Sequence, residues 1–302
     1  MIPTRNRCDW LRLTLHAVLR QRDVDLEAIV IDDGSTDDTA EMLAEVSDPR
    51  VRAIRHGSSR GVSASRNDGA AEAQGEWVAF VDDDDLWAPE KLALQVEAAD
   101  TTGRPWVYTG SVNVDDQGRI VGGNPPLPPE DVTRLIGRQN VIPGGGSNVV
   151  VRRDEFERVG PFDVRLKNTE DWELWIRLAD RGPPAWVPRP LMAYRVHSAN
   201  ASLDVAAILE GVSLIERRHG TTADRGVIHR WIGELCLRTG HRGQAVKHLT
   251  LAALHGQATN VTGDVVRMLG RHMRSNRSAA DSPRHPEWVE QARTWVEEFS
   301  RT

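Results

Sequence analysis

Cysteine is nearly missing from this chain of 302 residues: Cys8 and Cys236 are its two, too few and too far apart for a disulfide framework or a metal ribbon. A reducing compartment is the expectation. A basic surplus is missing as well, the formal net charge being -6, which argues against a protein that grips nucleic acid by neutralising phosphates. No stretch approaches the roughly 18 apolar residues of a membrane span, and the start lacks the basic-then-apolar pattern of a secretory leader. The chain is therefore expected to be cytoplasmic, free or peripheral at the inner face of the membrane, with no transmembrane segment. What is present is enough apolar material, 39% of residues, for a main domain with an appendage.

Over the first two hundred residues short apolar runs alternate with helical patterns, which predicts an α/β sheet. The runs at 28–31 and 77–81 are uncharged inside and end abruptly in aspartates. They read as buried central strands whose carboxyl ends open onto a crevice, the usual ligand position in open α/β sheets. Residues 51–57 predict another strand, and 63–75 a helix with Ser63 as N-cap and Gly75 as its stop. From Asn124 the segments NPPLPPED and PGGGSN predict a long loop and a close-packed turn.

Beyond about residue 200 strands vanish. Ile228, Trp231, Ile232 and Leu235 fall at helical spacing, as do Val246, Leu249 and Ala253, with Gly240 between them: a helical hairpin similar to one tetratricopeptide unit. SNRSAADSPRHP, at 275–286, reads as a linker. Trp288, Ala292, Trp295 and Phe299 then stripe a last helix that carries Glu290, Glu297 and Glu298 on its other face. That stripe is expected to dock on the body or on a partner, a homodimer through the helical region being one form of this. The expected division is a catalytic domain over 1–200 and a helical region over 201–302.

The stretch FVDDDDLW, residues 80–87, places four acids directly after an apolar segment. Two carboxylates around one intervening residue at a strand end suit a hard divalent cation, Mn²⁺ or Mg²⁺, which fills its other positions with water and substrate phosphates. A calcium loop is excluded, because its sixth and twelfth positions would be Trp87 and Ala93 rather than Gly and Glu. A solvated acidic loop stays open on this stretch alone.

Read in order, IPTRN, IVIDDGSTDDT, GVSASRN and FVDDDDLWAPEKL, then GGGSNVVVRRDEFERVGPFD, TEDWELWIRLADRG and PLMAYRVHSANAS, the first two hundred residues resemble the family 2 glycosyltransferases of the GT-A fold. Composition and periodicity alone reach only a nucleotide-binding α/β domain. The resemblance implies a Rossmann-like mixed sheet with helices on both faces. It also implies transfer with inversion from a nucleoside-diphosphate sugar, UDP favoured and dTDP or GDP open, to a glycan, lipid-linked or small-molecule acceptor.

Carried over residue by residue, the resemblance puts Pro3 and Thr4 beside the nucleoside, Asp33 on its base and Arg66 near the diphosphate. Asp82 and Asp84 become a DxD pair, one acid toward the ribose or a metal water and Asp84 the direct ligand of Mn²⁺ or Mg²⁺. Asp83 or Asp85 fits either role, since a run of four leaves the register open. His197 is implied near the metal or diphosphate. Asp171 is implied as catalytic base, with Glu170 orienting the acceptor; acids in a first helical turn are also routine helix starters. Trp172 and Trp175 offer an aromatic floor or plain core.

Two departures stand out: fewer apolar residues precede IPT than in the family, so the first strand is expected to be short and the pocket edge weak, and Arg5 stands where an aromatic residue is common. A nucleotidyltransferase would need a glycine-rich phosphate loop near the start, and IPTRNRCDW has no glycine. A catalytically idle sugar-nucleotide or glycan-binding module would be expected to have lost the acids or the base, and all are present.

Overall fold

A computed structural model describes residues 1–197, 204–262 and 286–299. The expected linker near 275–286 lies outside these residues except for Pro286, which opens the last helix. The sheet is organised on β2 (Ala28–Asp32), whose five residues AIVID are all buried. It pairs in parallel with β1 (Ile2–Thr4) on one side and β3 (Val51–Arg55) on the other. β1 is short, as expected, yet it is held on both sides. The Met1 amine donates to Ala79 O at 2.8 Å and Val81 N–H donates to Met1 O at 3.1 Å, which sets β1 beside β4 (Trp77–Ala79).

β4 opens a second, six-stranded sheet, in which β8 (Val150–Arg152), β6 (Trp106–Val114), β9 (Ala185–Arg195) and β5 (Leu86–Trp87) follow in order, with β7 (Ile120–Asn124) paired to β6. The pairing is mixed: β4–β8 and β6–β8 are antiparallel, β6–β9 parallel. Alternation along β6 sends Trp106 and Tyr108 into one apolar cluster and Val107 into the other, so a core lies on each face. On the first face α1 (Cys8–Leu19) buries Leu11, Leu15 and Val18 at helical spacing.

Helix α3 (Val62–Ala71) corrects the expected caps. Its N-cap is Gly61 at φ +87°, a conformation glycine adopts without strain, so Ser63 falls inside the first turn; the helix ends four residues before Gly75. α2 (Thr39–Ala44) and α4 (Lys91–Thr102) follow β2 and β5. The NPPLPPED segment is loop only in part: Pro129 opens α5 (Pro129–Leu135), where its missing N–H costs nothing. α6 (Arg153–Val159) and α7 (Glu170–Ala179) pack together before β9.

After β9 come α8 (Val205–His219), then α9 (Arg225–Arg238) and α10 (Arg242–Ala252), the expected hairpin, with Gly240 turning at φ +82°. Of its expected apolar stripe Ile228, Ile232, Leu235 and Leu249 are buried, while Trp231 and Val246 are exposed; Cys236 is buried in addition. Ile208, Val212, Ile215, Ile228 and Ile232 share one cluster with Trp172, Leu174 and Trp175 of α7, so apolar residues on both sides of position 200 form a common core. The last helix, α11 (Pro286–Phe299), lays its stripe on the body. The Trp288 indole donates to Ser111 O at 2.9 Å, the Trp295 indole to Pro190 O at 3.2 Å, and Val289, Ala292 and Phe299 are buried. The stripe is thus covered by the chain's own sheet, and a homodimer through the helical region would need other residues.

His229 of α9 and His248 of α10 meet Nδ1 to Nδ1 at 3.0 Å, both buried. Burial, then the neighbouring His248, lowers His229 to about 4; burial, then Lys247, lowers His248. The unfolded chain, whose histidines titrate near 6.5, therefore takes up protons first as pH falls. The contribution of this pair is expected to be complete above about pH 6.5 and to fall away toward about pH 4. Thermal unfolding across that range checks it, with His229→Gln giving a shallower decline.

Candidate active site

The four acids end β4 in four different environments. Asp85 is fully buried: its Oδ1 accepts from Arg195 N–H at 3.0 Å, its Oδ2 from the Ser147 hydroxyl at 2.5 Å, and its carbonyl from Thr14 of α1 at 2.9 Å. Burial, then the Asp84 charge, pushes its carboxyl well above the usual range. It anchors the turn. Asp83 reaches back to β1, accepting from the Thr4 hydroxyl at 2.7 Å and from Arg7 Nη1 at 3.1 Å, and burial followed by the Asp84 charge raises it to about 7.

Asp84 Oδ2 meets His197 Nε2 at 2.9 Å and accepts from Arg7 Nη1 at 2.5 Å, while its carbonyl accepts from Arg195 Nε at 2.9 Å. The Asp82 side chain, 32% exposed, is the most open of the four; its N–H is bound by Ser147 Oγ and its Oδ1 by Arg66 Nη2 at 2.5 Å. Asp82 is thus the one open acid of the four, while Asp83, Asp84 and Asp85 are buried against neighbours from other elements.

Among the described residues no three His, Cys, Asp or Glu side chains converge as a metal cluster. Two do, Asp84 and His197. The carboxylate suits Mn²⁺ or Mg²⁺, which would complete its shell with water and phosphate oxygens, and the imidazole nitrogen, a softer donor than Mg²⁺ prefers, favours Mn²⁺ of the two.

Arg66 is buried and spans the site: Nη2 donates to Asp82, Nη1 to Glu170 Oε1 at 2.7 Å, and the guanidinium lies 5.4 Å from the centre of the Phe162 ring. Its fork thus holds two acids together, where the resemblance implied a reach toward the diphosphate. Glu170 and Asp171 open α7, in the first turn, where the helix dipole favours negative charge. Burial, then the Glu170 charge, raises Asp171 to about 7. Its Oδ1 accepts from Trp172 N–H at 2.6 Å, and Asn140 Nδ2 lies 3.4 Å from Oδ2.

The glycine run explains itself here. A Cβ on Gly145, which sits at φ +59°, would stand 3.2 Å from Asp171 Oδ2, and one on Gly146 would stand 2.9 Å from Arg66 Nη2. Bare backbone keeps both groups in place. Gly146→Ala is expected to lower turnover by roughly 10- to 100-fold through displaced acids, with a nearly unchanged circular dichroism melt; initial rates check it.

Asp33 follows β2, where its N–H donates to Thr4 O at 2.9 Å. Asp33 takes four donors from the loop after β3: His56 Nδ1 at 2.7 Å, Ser59 Oγ at 2.7 Å, Arg60 N–H at 2.8 Å and Gly61 N–H at 2.9 Å. Burial opposes its charge, yet these bonds, led by His56, hold its carboxyl well below the usual range. Its oxygens are occupied in shaping that loop. Pro3 is a buried wall residue of β1. Trp172 and Trp175 are core rather than a sugar floor: the Trp172 indole donates to Ile136 O at 2.6 Å, and Trp175 stacks on Trp106 at 6.5 Å. The residues following His197, 198–203, lie outside the described ones.

Sequence reasoning missed Arg7, Trp10, Ser147 and Arg195. Trp10 is half-buried with its ring 4.2 Å from that of His197. The arginine of YRVH, two residues before the histidine already singled out, was the one available signal.

The sheet, with its acids at the strand ends and helices on both faces, is the GT-A fold. A mannosyltransferase from Pyrobaculum calidifontis, solved in complex with GDP-Man and Mn²⁺, superposes with a TM-score of 0.57 at 16% identity, over 99% of this chain and 84% of that one. Staphylococcus aureus TarS 1–349, in complex with UDP, gives 0.56 at 18% identity, over 78% and 69%. The chain belongs to glycosyl transferase family 2, whose model matches residues 1–160. The Escherichia coli UDP-Glc:alpha-D-GlcNAc-diphosphoundecaprenol beta-1,3-glucosyltransferase WfgD is 27% identical over 59% of this chain and 68% of its own length. The chain spans 29% of the length of a Rickettsia bellii glycosyltransferase to which it is 26% identical. Among the described residues no helix is long and apolar enough to cross a membrane.

Proposed function

We propose that this protein is an inverting glycosyltransferase that moves a sugar from a nucleoside-diphosphate donor to an acceptor hydroxyl in one displacement. One observation carries the reading: Arg66 joins Asp82, beside the Asp84–His197 pair, to Glu170, beside Asp171, so a donor end and an acceptor end share one buried fork. Asp171 takes the proton of the acceptor hydroxyl as its oxygen attacks the anomeric carbon, and the bond from that carbon to the diphosphate breaks. With a single base and no nucleophile interposed, the anomeric configuration inverts. Asp84 and His197 would hold a divalent cation, which would supply charge stabilisation for the leaving diphosphate. Glu170 keeps Arg66 in place and orients the acceptor side.

The donor class is supported by similar proteins, TarS in complex with UDP, the mannosyltransferase with GDP-Man and the UDP-Glc-dependent WfgD. They differ in base, and Arg5, exposed directly after Thr4, stands where the family commonly has an aromatic residue, so the choice is open between UDP, dTDP and GDP. The names of relatives favour a cell-envelope glycan or lipid-linked acceptor. Thermal shift against UDP-, dTDP- and GDP-sugars with Mn²⁺ tests the reading: one donor is expected to raise the melting temperature, with EDTA reversing the rise, and no shift with any donor counts against it. With Asp171 titrating near 7, kcat/KM is expected to rise with pH up to about 7 and then level; a flat profile from pH 5 to 8 contradicts the assignment.

A further inference from the structure

We propose that Arg7 is a built-in counter-cation of the donor-side acids, which an incoming divalent cation must displace from Asp84, so that cation binding is weak until a diphosphate arrives. The proposal rests on the reading of Asp84 and His197 as the cation's ligands. Arg7 Nη1 lies 2.5 Å from Asp84 Oδ2, the same oxygen that meets His197 Nε2 at 2.9 Å, and 3.1 Å from Asp83 Oδ1. Its guanidinium also lies 5.5 Å from the centre of the Trp10 ring, which packs on the His197 ring at 4.2 Å.

The placement is prepared by the backbone. Asn6, at φ +55°, has its N–H bound by Ser35 Oγ at 3.0 Å, while its own Oδ1 accepts from Thr36 N–H at 2.7 Å. These bonds fix the turn between β1 and α1 and aim the next side chain at the acids.

The same oxygen cannot fully serve an arginine and a divalent ion. Two cations on one carboxylate repel strongly at this range, so the ion must push the guanidinium aside. Release is partial, because Asp83 and the face of Trp10 keep their hold on Arg7. Before the ion arrives, Arg7 offsets the mutual repulsion of Asp83 and Asp84 and keeps Asp84 aimed. After a donor binds, its diphosphate supplies the negative charge that lets ion and guanidinium stay together. The arrangement ties cation uptake to donor uptake.

The test is Mn²⁺ alone on the full chain, free ion being counted by electron paramagnetic resonance, for wild type, Arg7→Gln, Arg7→Lys and Asp84→Asn. Arg7→Gln is expected to bind Mn²⁺ about tenfold more tightly than wild type, Arg7→Lys to stay close to wild type, and Asp84→Asn to lose the site. Thermal melts establish folding first, and Arg7→Met repeats the charge removal should Arg7→Gln unfold. Arg7→Gln binding no more tightly than wild type overturns the proposal, as does equal tightening in Arg7→Lys, since charge would not be the cause. Wild type and Arg7→Gln both binding no better than Asp84→Asn would instead remove the cation site, and with it the reading beneath.

Discussion

Asp171→Asn is expected to lower turnover by roughly 10²- to 10⁴-fold, the range that a positioned general base contributes. The amide keeps the size of the side chain and still offers an oxygen to Trp172 N–H, so α7 begins as before. What it loses is the capacity to take a proton. The carboxyl is suited to that task because burial and the Glu170 charge raise it to about 7, where it can accept a proton from the hydroxyl and pass it on near neutral pH. Glu170 is a poorer candidate, since Arg66 already holds its Oε1 at 2.7 Å. Steady-state release of nucleoside diphosphate checks the prediction; turnover within a few-fold of wild type would sink the assignment of Asp171.

Arg66→Met is expected to damage both stability and rate. The guanidinium is buried between Asp82 and Glu170, and removing one member of a buried ionic cluster while its partners stay typically costs about 3–5 kcal/mol. Urea unfolding reads that loss directly. Arg66 also lowers the pKa of Asp171, against burial and Glu170, so its removal should raise the carboxyl further. The acid limb of kcat/KM is then expected to move to higher pH, with less base available at neutrality. A purely structural role predicts the stability loss without the displaced pH profile, and the two measurements separate these outcomes.

Much of the fold was legible because its signals are local. AIVID reads as a buried strand and is one; the apolar lead into DDDD is strand only over Trp77–Ala79, half-buried at both ends, before the buried Phe80 and Val81. The helical hairpin was legible from spacing and Gly240, but the exposed Trp231 was not separable from the buried Ile232, nor Val246 from Ala245, because adjacent positions on a helix edge share one period. The site was legible as residue types and opaque as roles. Four aspartates in a row differ only by neighbours far along the chain: Thr4 and Arg7 for Asp83, His197 for Asp84, Ser147 and Arg195 for Asp85. Their environments became distinguishable when β1, β4 and β9 were seen together. Arg66 and Asp33 show the same limit, since an arginine fork between two acids, or a carboxylate filled by a loop, has no signature within its own segment.

The central claim is a divided site, with Asp84 serving the donor and Asp171 the acceptor. Calorimetric titration tests it most directly, with the nucleoside diphosphate selected by the thermal-shift screen run with and without Mn²⁺ on wild type, Asp84→Asn and Asp171→Asn. Mn²⁺ should strengthen nucleotide binding in wild type and in Asp171→Asn and have no effect in Asp84→Asn. An Mn²⁺ effect that survives in Asp84→Asn, or that disappears in Asp171→Asn, contradicts the division.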